Sequence, residues 1–358
     1  MRRLVFIAFA ACYQPAPPTC TGEVLVLAEA PDFSASTIGT LSLETGVATM
    51  HTNESSLQDP VLATSGLQHF VISRKTNVIY ALDGCANSGL QYSALAPDEI
   101  AANEDANPQD VAVDSTGAIW IARLALPSLL ITSPLQAVDL SKFDSDGNPD
   151  MSSVKIVGNH AFIALSRLNP YPESHQTSQV VVLDTDTKQL VTTIDLAGHN
   201  PFGQMLVSAG KIWIAAPGNF NDATESAAGV ETIDPITMDH TIVVAETAVG
   251  GSVAEVAANV SCGAAIVADA STQNATSLVS FAVDGSHLSA AVLSTPGFSL
   301  RGLLWTNETP PRLLVGDATN SGGTFYVHVF SADAQTCALT KAGPDMAMPN
   351  MPALAFAD

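Results

Sequence analysis

The segment from residue 179 to residue 216 contains four β-type runs and no helical period. Its first two runs, QVVVLD and LVTTIDL, flank the polar turn TDTK, as the strands of an antiparallel hairpin do. Its last two runs, FGQMLVS and KIWIAA, are separated only by Ala209 and Gly210. A four-stranded unit of this length that recurs along a chain predicts the blade of a β-propeller.

The same unit can be followed through the rest of the chain. Seven segments match its KIWIAA run, from EVLVLAE (23–29) to RLLVGD (312–317), and seven match its QVVVLD run. Four of the latter end in aspartates spaced 50, 50 and 49 residues apart, namely Asp184, Asp234, Asp284 and Asp333. An aspartate suits this position because its side chain can bond the backbone two residues on and close a hairpin turn. We therefore predict an all-β, seven-bladed β-propeller of four-stranded antiparallel blades.

The innermost strand is missing from the first unit. Units two to seven have a β-type run before their second strand, but nothing comparable precedes residues 23–29. The missing run appears at the other end of the chain as PALAFAD (352–358). We predict that this C-terminal strand closes the ring, which leaves no free sheet edge. Four unit boundaries carry an Asx-Pro step, which we interpret as turn chemistry: Asp59-Pro60, Asn107-Pro108, Asn148-Pro149 and Asn200-Pro201.

The order of these features resembles a known repeat family. A hairpin with Asp at its turn, a Gly-x-Asx-Pro step, a strand, a short turn and a strand ending in IWIAA resemble the YVTN family of bacterial propeller repeats. The resemblance is close for residues 179–216 and looser elsewhere. It implies the propeller fold and an extracytoplasmic setting, and it carries over no catalytic residues.

The N-terminus has the pattern of an export signal. Residues 1–12 contain two arginines, an apolar run and small residues before Cys12. The ending Phe-Ala-Ala-Cys resembles a bacterial lipobox, which would make Cys12 the lipidated first residue of a lipoprotein; the alternative is plain cleavage near Ala8-Phe9-Ala10. We predict a signal peptide at 1–12, a proline-rich tether at 13–19 and one propeller domain at 20–358. The protein is then an outer-membrane lipoprotein or lies in the periplasm or on the cell surface.

The cysteines that remain beside Cys12 are even in number, which in an exported chain predicts disulfides. Each of two pairs joins the first turn of one blade to the third turn of its neighbour. We predict the disulfides Cys20–Cys85 and Cys262–Cys337. No CxxC motif is present, so a metal knuckle or redox pair is not expected.

The charge balance bears on partners. The formal charge is −22, and 47% of the residues are hydrophobic against 13% that are charged. Such a surface repels phosphate backbones and anionic lipids, so we expect no nucleic-acid partner and no membrane contact except through the N-terminal lipid. We also expect a monomer.

One segment resembles a cation-binding loop. Asp144, Asp146 and Asp150 surround Gly147, and alternating carboxylates in a tight loop suit calcium. The alternative is a solvated turn. No other cofactor is predicted.

A candidate ligand site follows from the strand ends. Arg74, Arg123 and Arg167 end the second strands of blades two to four, where they would form a polar ring at the channel mouth or, alternatively, salt bridges between blades. The longest irregular loops are predicted on the same face, and they carry Tyr171 and Phe220.

Two functions are compatible with these patterns. The first is a non-catalytic, surface-anchored binding or scaffolding lipoprotein whose partner is an envelope protein or a polar ligand. The alternative is a lactonase-like hydrolase with a divalent metal in the central channel. Its metal ligands would come from five side chains: Asp59, Asp110, Asp150, Asn200 and Asn350. No common catalytic motif occurs in the chain, so we favour the first function.

Overall fold

A computed structural model describes residues 23–32, 35–54, 57–169, 176–218, 228–269, 275–321 and 324–356. Within these ranges the chain forms seven antiparallel sheets, each a blade. The inner strand of every blade contacts the inner strand of the next, and the last contacts the first, so the sheets form a ring. The predicted seven-bladed β-propeller is confirmed.

The strands follow the chain blade by blade. Blades one to three contain β1 (Glu23–Glu29), β2 (Ser36–Ser42), β3 (Ala48–Glu54); β4 (Pro60–Ser65), β5 (Gln68–Ser73), β6 (Val78–Leu82), β7 (Ser88–Ser93); and β8 (Pro108–Val113), β9 (Ile119–Arg123), β10 (Ser128–Thr132), β11 (Leu135–Asp139). Blades four and five contain β12 (Met151–Val157), β13 (His160–Leu165), β14 (Gln179–Asp184), β15 (Leu190–Asp195); and β16 (Phe202–Ser208), β17 (Lys211–Ala216), β18 (Gly229–Ile233), β19 (His240–Ala245).

Blades six and seven complete the ring. They contain β20 (Gly251–Ala258), β21 (Cys262–Asp269), β22 (Ala275–Ala282), β23 (Leu293–Pro296); and β24 (Leu300–Trp305), β25 (Arg312–Ser321), β26 (Thr324–Ala332), β27 (Leu339–Lys341). A short strand, β28 (Met346–Met348), pairs with β26, and β29 (Met351–Phe356) ends the described chain. Two short helices, α1 (Pro97–Ala102) and α2 (Glu246–Val249), precede blades three and six. Neither these nor the one 3-10 turn of the described chain is long and apolar enough to cross a membrane.

Strand β29 closes the ring. It pairs antiparallel with β1 at six positions, from Val24 opposite Phe356 to Glu29 opposite Met351. The first blade is therefore built from both ends of the described chain, as the sequence predicts.

The core lies between neighbouring blades. Every side chain of β9 is buried, and Trp120 on this strand and Trp213 on β17 have no exposed surface. Both faces of second strands such as β9 and β17 are covered by adjacent blades, which is why these strands read as continuous apolar runs. The outer strands β7 and β11 are mostly exposed.

The two faces of the ring differ in their connections. The turns between first and second strands and between third and fourth strands lie on one face, here called the cysteine face; the others lie on the loop face. On the cysteine face each predicted aspartate closes its hairpin: Asp184 Oδ1 accepts the N–H groups of Asp186 and Thr187. Asp234 and Asp333 each accept the two corresponding N–H groups, and Asp284 accepts the hydroxyl and the N–H of Ser286. These hydrogen bonds lower the pKa of all four carboxyls.

One predicted disulfide is confirmed. Cys262 and Cys337 are bonded, with their Cα atoms 5.5 Å apart, and they fasten blade six to blade seven on the cysteine face. Cys85 is disulfide-bonded. The pairing Cys20–Cys85 stays a prediction, because Cys20 lies outside the described residues.

The crossovers between blades use left-handed residues. Asp59, Asn107 and Asn200 each precede a proline and have φ of 50°, 43° and 52°. Asx residues tolerate this conformation better than other non-glycine residues, which explains the Asx-Pro steps. At the entry to blade four the left-handed residue is Asp150, with φ of 52°, and not Asn148 of the predicted step.

A buried histidine ties the chain segment before β28 to blade seven. His328 Nε2 lies 3.0 Å from Asp317 Oδ2, and its Nδ1 lies 2.6 Å from Asp345 Oδ1. Lys341 donates to the other oxygen of Asp345 at 2.8 Å. Burial lowers the pKa of His328, but the hydrogen bonds and charges of Asp317 and Asp345 outweigh it, so the pKa is raised.

We expect stability to fall in alkaline solution through His328. Because its folded pKa lies above the ordinary 6.5, its contribution is complete below pH 6.5 and is lost as pH rises through the folded pKa. Urea unfolding across this pH range should show that the unfolding free energy of His328→Gln falls less with rising pH than that of the parent protein. The exposed His287 provides a matched control, His287→Gln, which should keep the parent slope. Equal slopes in His328→Gln and the parent would contradict the assignment.

Candidate functional site

Charged side chains from several blades meet where the central channel opens on the loop face. Arg301 Nη2 on β24 lies 3.0 Å from Glu29 Oε2 at the end of β1. Arg74, just after β5, pairs with Asp59 at 2.5 Å and donates to Gln109 Oε1 at 3.3 Å. The charges of Asp59 and Arg74 also act on Glu29, so the two pairs share one environment. We call Glu29, Asp59, Arg74, Gln109 and Arg301 the mouth cluster.

The mouth cluster contains a buried acceptor with no partner. Glu29 is 1% exposed, and its Oε1 makes no hydrogen bond. Burial raises the pKa of Glu29, and the charge and hydrogen bond of Arg301 offset this only in part. The side chains of Arg74 and Arg301 are 27% and 29% exposed, so their guanidinium groups remain accessible. The arrangement can accept a hydrogen bond at Glu29 and donate hydrogen bonds from the two arginines.

The other two arginines of the predicted ring lie elsewhere. Arg123 is fully buried; it pairs with Glu99 of α1 at 2.6 Å and donates to the carbonyl oxygens of Ala94 and Ser128. It therefore ties α1 to blade three.

Arg167 has a different local role. It donates to Thr177 O at 2.7 Å and Gln176 Oε1 at 2.9 Å, which holds together the described ends of the β13–β14 loop. Of the three predicted arginines, only Arg74 belongs to the mouth cluster.

Below the mouth the channel is crossed by side chains. Gln204 of blade five donates to Leu62 O of blade two at 2.6 Å. Asp110 is fully buried and bonds Lys155 Nζ at 3.0 Å, Ser153 Oγ at 2.5 Å and Val154 N at 3.1 Å. The contacts of Asp110 join the inner strands of blades three and four.

Three of the five channel residues of the hydrolase alternative are bonded to other partners. Asp59 pairs with Arg74, Asp110 with Lys155, and Asn200 donates to Gly218 O at 3.1 Å. In the described ranges no group of three or more His, Cys, Asp or Glu side chains is placed to hold a metal ion. The geometry gives the hydrolase alternative no support.

The acidic crossover, residues 144–150, lies at the entry to blade four. Asp150 Oδ2 accepts Leu168 N–H at 2.8 Å, and Oδ1 accepts Asn148 Nδ2–H at 3.0 Å. Burial raises the pKa of Asp150 to about 7; the Leu168 hydrogen bond lowers it, and the charges of Asp146 and Asp144 raise it. The three predicted carboxylates therefore share one electrostatic environment without forming a complete metal site.

Three predicted site residues cannot be placed. Tyr171, Phe220 and Cys12 lie outside the described residues, and their roles stay predictions.

Sequence analysis missed Glu29, Gln109 and Arg301. Glu29 is the last residue of the second strand of blade one, and Arg74 directly follows the second strand of blade two. An alignment of the blades by strand position would therefore have placed Glu29 near Arg74. Arg301 is 272 positions away from Glu29 in the chain, and only ring closure brings the two together. No local pattern marks that pair.

Several solved protein structures are similar in fold to this chain. A Bacteroides uniformis protein named as a candidate 6-phosphogluconolactonase has a TM-score of 0.58 at 12% identity, with 93% of this chain and 98% of that chain covered. The dihydro-heme d1 dehydrogenase NirN has a TM-score of 0.54 at 14% identity, with coverage of 95% and 76%. A Lactobacillus plantarum protein has a TM-score of 0.53 at 13% identity, with coverage of 93% and 99%. At these identities the likeness establishes the fold alone. No protein-family model and no curated protein matches the sequence.

Proposed function

We propose that this protein is an exported, non-catalytic binding propeller that holds a polar ligand, or a polar side chain of an envelope protein, at the mouth cluster. The observation that carries the proposal is the buried Oε1 of Glu29, which has no hydrogen-bond partner. A buried acceptor left unpaired costs free energy, and a bound donor removes that cost. The accessible guanidinium groups of Arg74 and Arg301 supply donors for an acceptor or anionic group of the same ligand.

The loop face fits this role because it carries the two longest connections within blades. The β13–β14 and β17–β18 connections span 166–178 and 217–228, whereas the first-to-second-strand turns of blades two, four and five are two residues long. Function on rigid scaffolds is commonly carried by such loops. Tyr171 and Phe220 belong to these loops in sequence, and we propose that they border the ligand.

Export and anchoring complete the proposal. The Cys262–Cys337 disulfide is typical of an oxidising compartment, which supports export. We propose that a lipid on Cys12 anchors the protein. Strand β1 begins on the cysteine face, so an anchor at this end of the chain leaves the mouth cluster facing away from the membrane.

A binding screen tests the proposal. Polar small molecules are screened by their effect on the melting temperature, an envelope extract is screened by pull-down, and each hit is titrated against variants. Glu29→Gln should weaken binding by about tenfold or more, because a lost charge-assisted hydrogen bond is worth about 1.5–3 kcal/mol. The matched control is Glu308→Gln, which removes a carboxylate on the cysteine face that pairs with Arg312. Ligands that bind Glu29→Gln and the parent equally, or a complete lack of hits in both screens, would count against the mouth cluster.

A further inference from the structure

The acidic crossover contains two oxygen atoms that are buried and have no hydrogen-bond partner. They are Asp144 Oδ2 and Asn148 Oδ1. Asp144 is 7% exposed, so this carboxylate oxygen is removed from water without compensation. Both atoms are acceptors, and both belong to one loop of seven residues.

The orientation of Asn148 is fixed by its neighbours. Its Nδ2 donates to Leu124 O at 3.1 Å and to Asp150 Oδ1 at 3.0 Å. Because both amide hydrogens are used, the Oδ1 atom is left as a free acceptor. Asp150 therefore positions Asn148, and both Asp150 oxygens are already occupied, the second by Leu168 N–H.

The negative charge of the loop also lacks a counterion. Among the residues that the structure describes, no lysine, arginine or histidine forms an ion pair with Asp144, Asp146 or Asp150. Arg167 turns its guanidinium to Gln176 and Thr177 instead. A positively charged group that binds acceptor oxygens would satisfy both the unpaired oxygens and the charge of this loop.

We propose that the acidic crossover binds a hard divalent cation, calcium, through Asp144 Oδ2, Asn148 Oδ1 and the carboxylate of Asp146, with water in the remaining positions. Calcium takes six to eight oxygen ligands in flexible geometry and accepts carboxylate, amide and water oxygens together. This donor set contains two carboxylates and one amide oxygen; it is not a group of three acidic, histidine or cysteine ligands, and none of those is found in the described chain. The site is independent of the mouth cluster and of the proposed function.

The bound cation would fasten two segments of the loop face. Gln176 Nε2 donates to Asp144 Oδ1 at 3.2 Å, and Asn169 Nδ2 donates to Ser145 Oγ at 3.4 Å. Both donors belong to the β13–β14 connection, so a cation that fixes the acidic crossover also fixes the atoms that this connection contacts.

Calcium titration of the full-length protein tests the proposal without any organic ligand. After dialysis against a chelator, isothermal titration with calcium chloride should give one site with a dissociation constant on the order of 10⁻⁴–10⁻³ M, the range of extracellular calcium modules. Calcium should also raise the melting temperature above its value in sodium chloride of equal ionic strength. Asp144→Asn and Asn148→Ala should each weaken binding by about tenfold or more. The matched control, Asp186→Asn at an exposed hairpin on the cysteine face, should bind calcium as the parent does.

A second readout separates a cation site from a merely structural loop. Without calcium, Asp144→Asn should melt at or above the parent temperature, because the variant removes a buried charge that has no counterion. With calcium the order should reverse. No binding heat in the parent, a melting temperature unchanged by calcium, or equal calcium affinity in Asp144→Asn and the parent would overturn the proposal. Those results would leave the mouth cluster untouched, because the test involves no residue of it.

Discussion

Deletion of residues 349–358 should destabilise the protein more than any other change considered. Strand β29 pairs with β1 at six positions, and its loss removes the backbone hydrogen bonds of that ladder. At about 1 kcal/mol for each hydrogen bond, the free energy of unfolding should fall by roughly 5 kcal/mol. The deletion also exposes an edge of β1 on which Val24 to Ala28 are fully buried in the intact ring. Such an edge promotes aggregation.

Thermal unfolding of the truncated and intact proteins measures this effect. Deletion of residues 357–358 alone serves as the control, because it shortens the chain without removing a residue of β29. The control should melt close to the intact protein, and the longer deletion should melt clearly lower. A truncated protein with the melting temperature of the intact one would show that β29 does not close the ring.

Substitution of Arg123 by methionine should cost about 3–5 kcal/mol, although the change keeps most of the side-chain volume. The guanidinium of Arg123 has no exposed surface and bonds Glu99, Ala94 O and Ser128 O. Its removal takes the guanidinium donors away from the Glu99 carboxylate and from two carbonyl oxygens, and it leaves Glu99 without its counterion. Urea unfolding of Arg123→Met gives the loss directly.

A double-mutant cycle identifies the cause of that loss. If the unpaired Glu99 carboxylate is responsible, Glu99→Gln in the Arg123→Met background should recover part of the lost stability. Arg312→Met is the surface control, since Arg312 pairs with Glu308 in a partly exposed ion pair and should cost less than about 1 kcal/mol. A loss at Arg123 no larger than the loss at Arg312 would contradict the buried role.

The placement of Arg123 shows where sequence patterns mislead. Its position at the end of a second strand matches that of Arg74, so the two appear equivalent in the sequence. Helix α1 breaks the equivalence. It begins with Pro97 and the acidic residues Asp98 and Glu99, which is a favourable helix start, and Glu99 also bonds the backbone N–H of Ala96 at 2.7 Å. The helix covers Arg123 and removes it from solvent.

The sequence by itself determined the features that depend on neighbours along the chain. Strands β14, β16 and β17 begin and end at the predicted residues, because a blade is a meander of adjacent strands whose apolar runs and turn residues are local. The hairpin aspartates are equally local. Ring closure and the Cys262–Cys337 disulfide followed from counting strands, since a repeat fixes which turn lies on which face.

Only the tertiary structure decided which polar side chains meet. Glu29 and Arg301 are 272 positions apart, and Gln204 and Leu62 are 142 apart. Pairs at this separation depend on the size of the ring, on the register of each inner strand and on the direction of each side chain, and no local period encodes these quantities. The same holds for the unpaired oxygens of Glu29 and Asp144. Whether these oxygens have hydrogen-bond partners depends on which side chains surround them in the folded protein, and the sequence alone does not show this.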